Sequence, residues 1–135
     1  MRGRKPKLTL VKGSATANRC PCPPVWLPDA AKAEWRRVAP VLNARGSLGP
    51  DMLATLESYC LAVGQVRETE EAMQRDGRTV EVAGQGMKLH PAFRMQASAM
   101  REARLLAAEL GLTPHRRPAE AEKEKGDGWD ADLLA

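Results

Sequence analysis

The chain is expected to be mainly α: a small helical domain with a long central helix, a short β-hairpin before the last helix, and disordered termini. Apolar residues recur at three- and four-residue steps in three stretches between residues 29 and 114. Prolines and glycines fall mostly at the ends of those stretches, where they start and stop helices. Outside them the chain is charged or proline-rich and has no apolar face to bury.

The first helix is placed at 29–44. Asp29 is a good N-cap, and Gly46 lies just beyond the end, where a left-handed cap is wanted. Trp35, Val38, Ala39 and Leu42 share one face. Pro40 sits inside the pattern and, lacking an N–H, is expected to kink the helix or divide it. The second helix is the clearest. Pro50 suits a first helical position and Asp51 complements the positive helix N-terminus. Met52, Leu56, Tyr59, Cys60, Val63, Val66 and Met73 then recur until Gly77. Such a rod is roughly 39 Å long at 1.5 Å per residue.

Thr79, Val80 and Val82 next approach a turn at Gly84-Gln85-Gly86, and Met87 to Leu89 return from it. This reads as a small hairpin, which would need a neighbour to pack on. The third helix opens with Pro91 and closes before Gly111, with Pro114 as a further stop. Its expected apolar face is Phe93, Ala97, Met100, Ala103, Ala107 and Leu110. His90, just before Pro91, is expected to cap the helix start rather than to catalyse. The domain layout is then a disordered basic arm (1–28), a helical oligomerisation core (29–114) and an acidic disordered tail (115–135).

Charge is distributed unevenly along the chain. Arg2, Arg4, Lys5, Lys7, Lys12 and Arg19 face no acid in the first nineteen residues. The middle is balanced, and the last 21 residues set Glu120, Glu122, Glu124, Asp127, Asp130 and Asp132 against four cations. A free cationic arm is an electrostatic footprint for nucleic acid, because each neutralised phosphate releases a counterion. Arg2-Gly3-Arg4 with Lys5-Pro6 resembles the core of an AT-hook, in which arginines enter a narrow minor groove. Plain phosphate contact by the same residues is the alternative. At the other end Trp129, Leu133 and Leu134 stand among acidic residues, the make-up of a short docking motif that orders on binding.

Little else carries chemistry. Cys20-Pro-Cys22 has the wrong spacing for a structural zinc pair, and Cys60, His90 and His115 are scattered, so no metal is expected. Three cysteines make no disulfide framework and suit a reducing cytosol. Glu68, Glu70 and Glu71 read as a solvated helix face. There is no phosphate loop, nucleophile elbow or His-Glu-x-x-His, so neither an enzyme nor a cofactor is expected. No apolar run is long enough for a membrane span, and no signal peptide precedes the arm. A core of this size would gain from self-association.

Five stretches in order resemble the small terminase subunit of tailed bacteriophages, in the family opening with Gly-Arg-Lys-Pro, of phage or prophage origin. They are Gly3-Arg-Lys-Pro-Lys7, Leu27 to Trp35, Asp51 to Ala62, Gly86 to Ala92, and Leu105 to Pro114. The resemblance covers roughly residues 3–117. Cys20-Pro-Cys22 and the Trp129 tail are not part of it. It implies a DNA-packaging factor of the host bacterial cytoplasm: a closed homo-oligomeric ring that binds double-stranded viral DNA. Such rings recruit and regulate the large terminase subunit, which holds the ATPase and nuclease. On that view Arg2, Arg4, Lys5, Lys7, Lys12 and Arg19 grip DNA, and Trp129, Leu133 and Leu134 dock the large subunit. The residues alone also allow a small architectural DNA-binding protein with an AT-hook-like arm, or a virion structural or head-completion protein.

Overall fold

The computed structural model describes residues 19–116. Three helices, α1 (Asp29–Ala44), α2 (Leu53–Asp76) and α3 (Pro91–Glu109), are joined by short turns and one hairpin, β1 (Thr79–Val82) and β2 (Gly86–Leu89). The expected fold class holds. Central α2 packs against α1 on one flank and α3 on another.

The helix ends follow backbone chemistry. After α1, the Ser47 N–H reaches Leu42 O at 2.9 Å and the Gly46 N–H reaches Asn43 O at 3.0 Å, with Gly46 at φ +68°. After α3 the same pair of bonds recurs, Leu112 to Ala107 and Gly111 to Ala108, with Gly111 at φ +67°. Both are Schellman closures, which need a residue tolerant of the left-handed region.

Three local expectations are corrected. Asp29 is the first helical residue and Pro28 holds the cap position, with no side-chain cap bond. Of the two outcomes expected at Pro40, division does not occur: α1 runs unbroken from Asp29 to Ala44, with Pro40 and Arg36, whose carbonyl loses its usual donor, both exposed. The long helix starts after a 3-10 turn at Pro50–Met52, which makes α2 24 residues, roughly 36 Å.

The segment ahead of α1 is not part of a free arm throughout. Leu27 is buried, Cys20 packs against the core, and the Trp35 indole N–H donates to Pro21 O at 2.8 Å. A buried indole needs an acceptor, and a proline-rich strand offers carbonyls without N–H groups of its own to satisfy. This strap joins Trp35, Val38, Leu42, Leu56, Tyr59 and Cys60 in the main core, which Leu110 closes from the end of α3.

The hairpin pairs Thr79 with Leu89 and Val82 with Gly86. Its turn is Ala83-Gly84-Gln85, closed by Gln85 N–H to Val82 O at 2.9 Å, so Gly86 already belongs to β2. Gly84, at φ +74°, occupies the position a type II turn reserves for glycine. The expected neighbour does not cover it: all four residues of β2 are exposed.

Candidate nucleic-acid and assembly surfaces

The expected apolar face of α3 is rotated from the real one. Ala92, Gln96 and Ala99 are buried against α2, with Ala103 and Leu106 half-buried on the same line and Leu110 buried beyond the helix end. Residues at 92, 96, 99, 103, 106 and 110 repeat at alternating steps of four and three, so they form one stripe. Phe93, Ala97 and Met100, assigned inward from sequence, are exposed. Ala92, Ala99 and Ala103 let the two helix backbones approach while Phe93 and Met100 stay outside the contact, and Leu106 and Leu110 remain within it.

Those rims are apolar on both sides of α3. On one side Phe93 is 39 % and Met100 50 % exposed, beside an open groove of about 390 Å³ lined by Val66, Glu70, Gln96 and Met100. On the other side Met95 is 60 % exposed, while Leu105, 57 % exposed, lies one turn beyond Arg101 on the outer face. Met95 lines a groove of about 430 Å³ with Leu61, Ala62 and Leu106. Arg67, Glu70 and Glu71 also line the first groove and Ser58, Gln65 and Glu102 the second, so each is an apolar floor with a polar edge, the make-up of a contact surface.

Glu34 forms a polar centre missed in the sequence. It is 1 % exposed on the inner face of α1, and Arg37 holds both its oxygens in a fork, with Nε at 3.0 Å from Oε2. Tyr59 OH donates to Oε1 at 2.9 Å and Arg67 Nη2 to Oε2 at 3.1 Å. Burial alone would push this carboxyl up. The two guanidinium groups and the Tyr59 hydroxyl outweigh it and hold the carboxyl below its ordinary value of 4.5. Burial, reinforced by the Glu34 charge, pushes Tyr59 and the Cys60 thiol up to about 12. The signal was an acid embedded in the apolar stripe of Ala31, Trp35 and Val38, with Arg37 three residues on.

Glu70 is likewise not simply solvated. It accepts from Gln96 Nε2 at 2.8 Å across the α2–α3 contact, and from Gln74 and Arg78. Glu68 and Glu71 are exposed as expected. His90 does cap α3: its Nδ1 accepts from Ala92 N–H at 3.0 Å. Cys22 is exposed, Cys20 half-buried and Cys60 buried. Among the described residues no three His, Cys, Asp or Glu side chains could together hold a metal ion. No helix among them is long and apolar enough to cross a membrane.

Of the residues expected to grip DNA, Arg19 is exposed at the edge of the described segment, while Arg2, Arg4, Lys5, Lys7 and Lys12 lie outside it. Trp129, Leu133 and Leu134 also lie outside it.

Fold and surface together define a small helical module whose long-helix pair leaves apolar rims open on both sides, as in proteins that function in assemblies. The family model described as "Phage terminase, small subunit" matches residues 31–127, well over half of the chain, and the chain belongs to that family. The match begins inside α1, so the Gly3-Arg-Lys-Pro opening lies ahead of it, and it runs ten residues past Arg117 into the acidic tail. A search of curated proteins and a search of solved structures each found no match.

Proposed function

We propose that this terminase small subunit acts as a closed homo-oligomeric ring that grips viral double-stranded DNA and brings the large terminase subunit to it. The observation that supports the ring is the pair of apolar rims on opposite sides of α3. A rim used on both sides of one copy makes a heterologous, head-to-tail contact, and such contacts end in rings when the rotation closes. The proposed layout is a basic arm, a helical core and an acidic tail, with the arm–core boundary moved from residue 28 to Arg19.

In a ring the arms are multiplied, so weak phosphate contacts by Arg2, Arg4, Lys5, Lys7, Lys12 and Arg19 gain from effective concentration. The tail residues Trp129, Leu133 and Leu134 supply the dock for the large subunit's ATPase and nuclease polypeptide. The site of action is the cytoplasm of the infected or lysogenic host, and no catalytic role is assigned to this chain.

Native mass spectrometry tests the ring. One large multiple of the 14.7 kDa chain is expected, and Phe93→Glu with Met100→Glu should break it down. A parent chain that remains monomeric or dimeric at micromolar concentration removes the proposal and favours an architectural DNA-binding protein. The tail assignment fails if a chain ending at Arg117 stimulates the large subunit's ATPase as fully as the intact one.

A further inference from the structure

We infer that the outer face of α3 is a second binding site for the phosphate backbone of double-stranded DNA, built on the folded core and separate from the arm. Arg94, Arg101 and Arg104 are all exposed, and their positions place them on the side of α3 opposite the Ala92–Gln96–Ala99 stripe that packs on α2. Ala97 and Leu105 are the exposed apolar residues beside them on that face. From Arg94 to Arg104 the face spans roughly 15 Å of helix. The inference rests on the DNA-binding reading above and names a new place for it.

Two features separate this face from ordinary solvated charge. First, it is of one sign. No Asp or Glu stands three or four residues from any of the three arginines, whereas a solvated helix face normally alternates charge. Arg101 and Arg104, three apart, even repel one another. Second, the arginines are unclaimed. Arg37, Arg67, Arg75 and Arg78 each hold a carboxylate within 4.0 Å, but Arg94, Arg101 and Arg104 hold none among the described residues. Arg36 and Arg45 of α1 are also without one there, but only on α3 do three such arginines share one helix side.

The face continues onto the hairpin. Lys88 and Arg94 line one open recess of about 490 Å³ with Leu89, His90 and Pro91, and no carboxylate lines it. Lys88 donates only to the neutral Gln85 side chain, and the nearby Asp76 is taken by Arg75 and His90. The guanidinium fork matches two phosphate oxygens, and an exposed helix side gives the DNA backbone a rigid line to follow. The acidic tail of the same chain is the rival occupant.

The test is fluorescence anisotropy of a labelled 30-base-pair duplex of random sequence against salt, using the full chain. Replacing Arg94, Arg101 and Arg104 together by Gln, a good helix former, should leave circular dichroism and native mass unchanged. It should make the log-affinity against log-salt slope shallower by about 2 to 3, at about 0.9 per lost phosphate contact, and weaken binding at least about tenfold. The matching triple Lys variant, which keeps the point charges, should retain most of the slope.

An unchanged slope in the Gln variant overturns the second site. If Gln at Arg2, Arg4, Lys5, Lys7 and Lys12 meanwhile removes binding, the arm reading stands alone. No binding by the parent chain overturns both. The tail is the true occupant, and the proposal fails, if replacing Glu120, Glu122, Glu124 and Asp127 by amides makes the parent and the Arg94/Arg101/Arg104 Gln variant bind equally.

Discussion

The contact of α2 with α1 and its contact with α3 are built differently. The first is a core of large side chains, Trp35, Leu42, Leu56 and Tyr59, sealed by the Leu27 strap and by Leu110. The second uses Ala62, Ala92, Ala99, Thr69 and Gln96, with Phe93, Met95 and Met100 of α3 left at the solvent-facing rims, while Met73 of α2 is buried outside the main core. Apolar burial stabilises in proportion to area, about 25 cal/mol per Å², so the first contact carries the fold. The second leaves apolar residues at its rims, whereas the first also holds a close backbone approach, Ala31 against Gly64. Under the proposed ring, stability and assembly fall on different flanks of one helix.

The sharpest break in that contrast is Trp35→Ala. It empties the main core and removes the bond to Pro21, and should cost about 3–5 kcal/mol in urea unfolding. A cost below 1 kcal/mol would remove the first contact from its leading role.

Glu34→Gln comes next. Breaking a buried ion pair is costly, but Arg37 and Arg67 are 65 % and 46 % exposed and recover water, so about 2 kcal/mol is expected. Because the folded carboxyl lies below 4.5, the unfolded chain binds more protons in that range. The Glu34 contribution is therefore present above pH 4.5 and lost as pH falls through the folded value. The Gln variant should show a flatter acid limb when unfolding is followed from pH 6 downward.

Gly64→Ala should destabilise by about 1–3 kcal/mol. An added Cβ would lie 2.9 Å from the Ala31 backbone nitrogen and 3.2 Å from its Cα, so α1 must move. The gain in helix propensity, about 1 kcal/mol, does not offset this. A higher melting temperature in the variant would contradict that close approach.

The smallest effect belongs to the other flank. Gln96→Ala loses the bond to Glu70, which keeps Gln74 and Arg78, and should cost about 1 kcal/mol. Thermal melting of the parent and variant would read the difference. A loss as large as that of Trp35→Ala would erase the contrast between the flanks.

Much of the scaffold was legible because it rests on local chemistry. Gly46 and Gly111 announce left-handed closures, Pro91 opens α3, His90 caps it, and Gly84 marks the hairpin turn. These depend on residues within a few positions, so linear order suffices. The face of α3 was misread for the opposite reason. Choosing larger apolar residues as the core assumes that burial favours size, but the spacing between two helix backbones decides it, and that spacing favoured alanine. Glu34 was missed likewise, since its partners Tyr59 and Arg67 come from another helix. The Cys20–Pro28 strap was read as arm because prolines leave no periodicity, yet the buried Trp35 N–H needed a carbonyl there.

The amino-acid sequence by itself determined the helix count, most of their ends, the hairpin, the opposed charges of the two termini and the family. Each follows from near neighbours in the chain or from residue order. Only the tertiary structure decided which stripe of α3 turns inward, that Glu34 is buried among arginines, and that Arg94, Arg101 and Arg104 hold no carboxylate among the described residues. Those facts depend on how closely two backbones can approach, and close approach is set by every side chain between them at once.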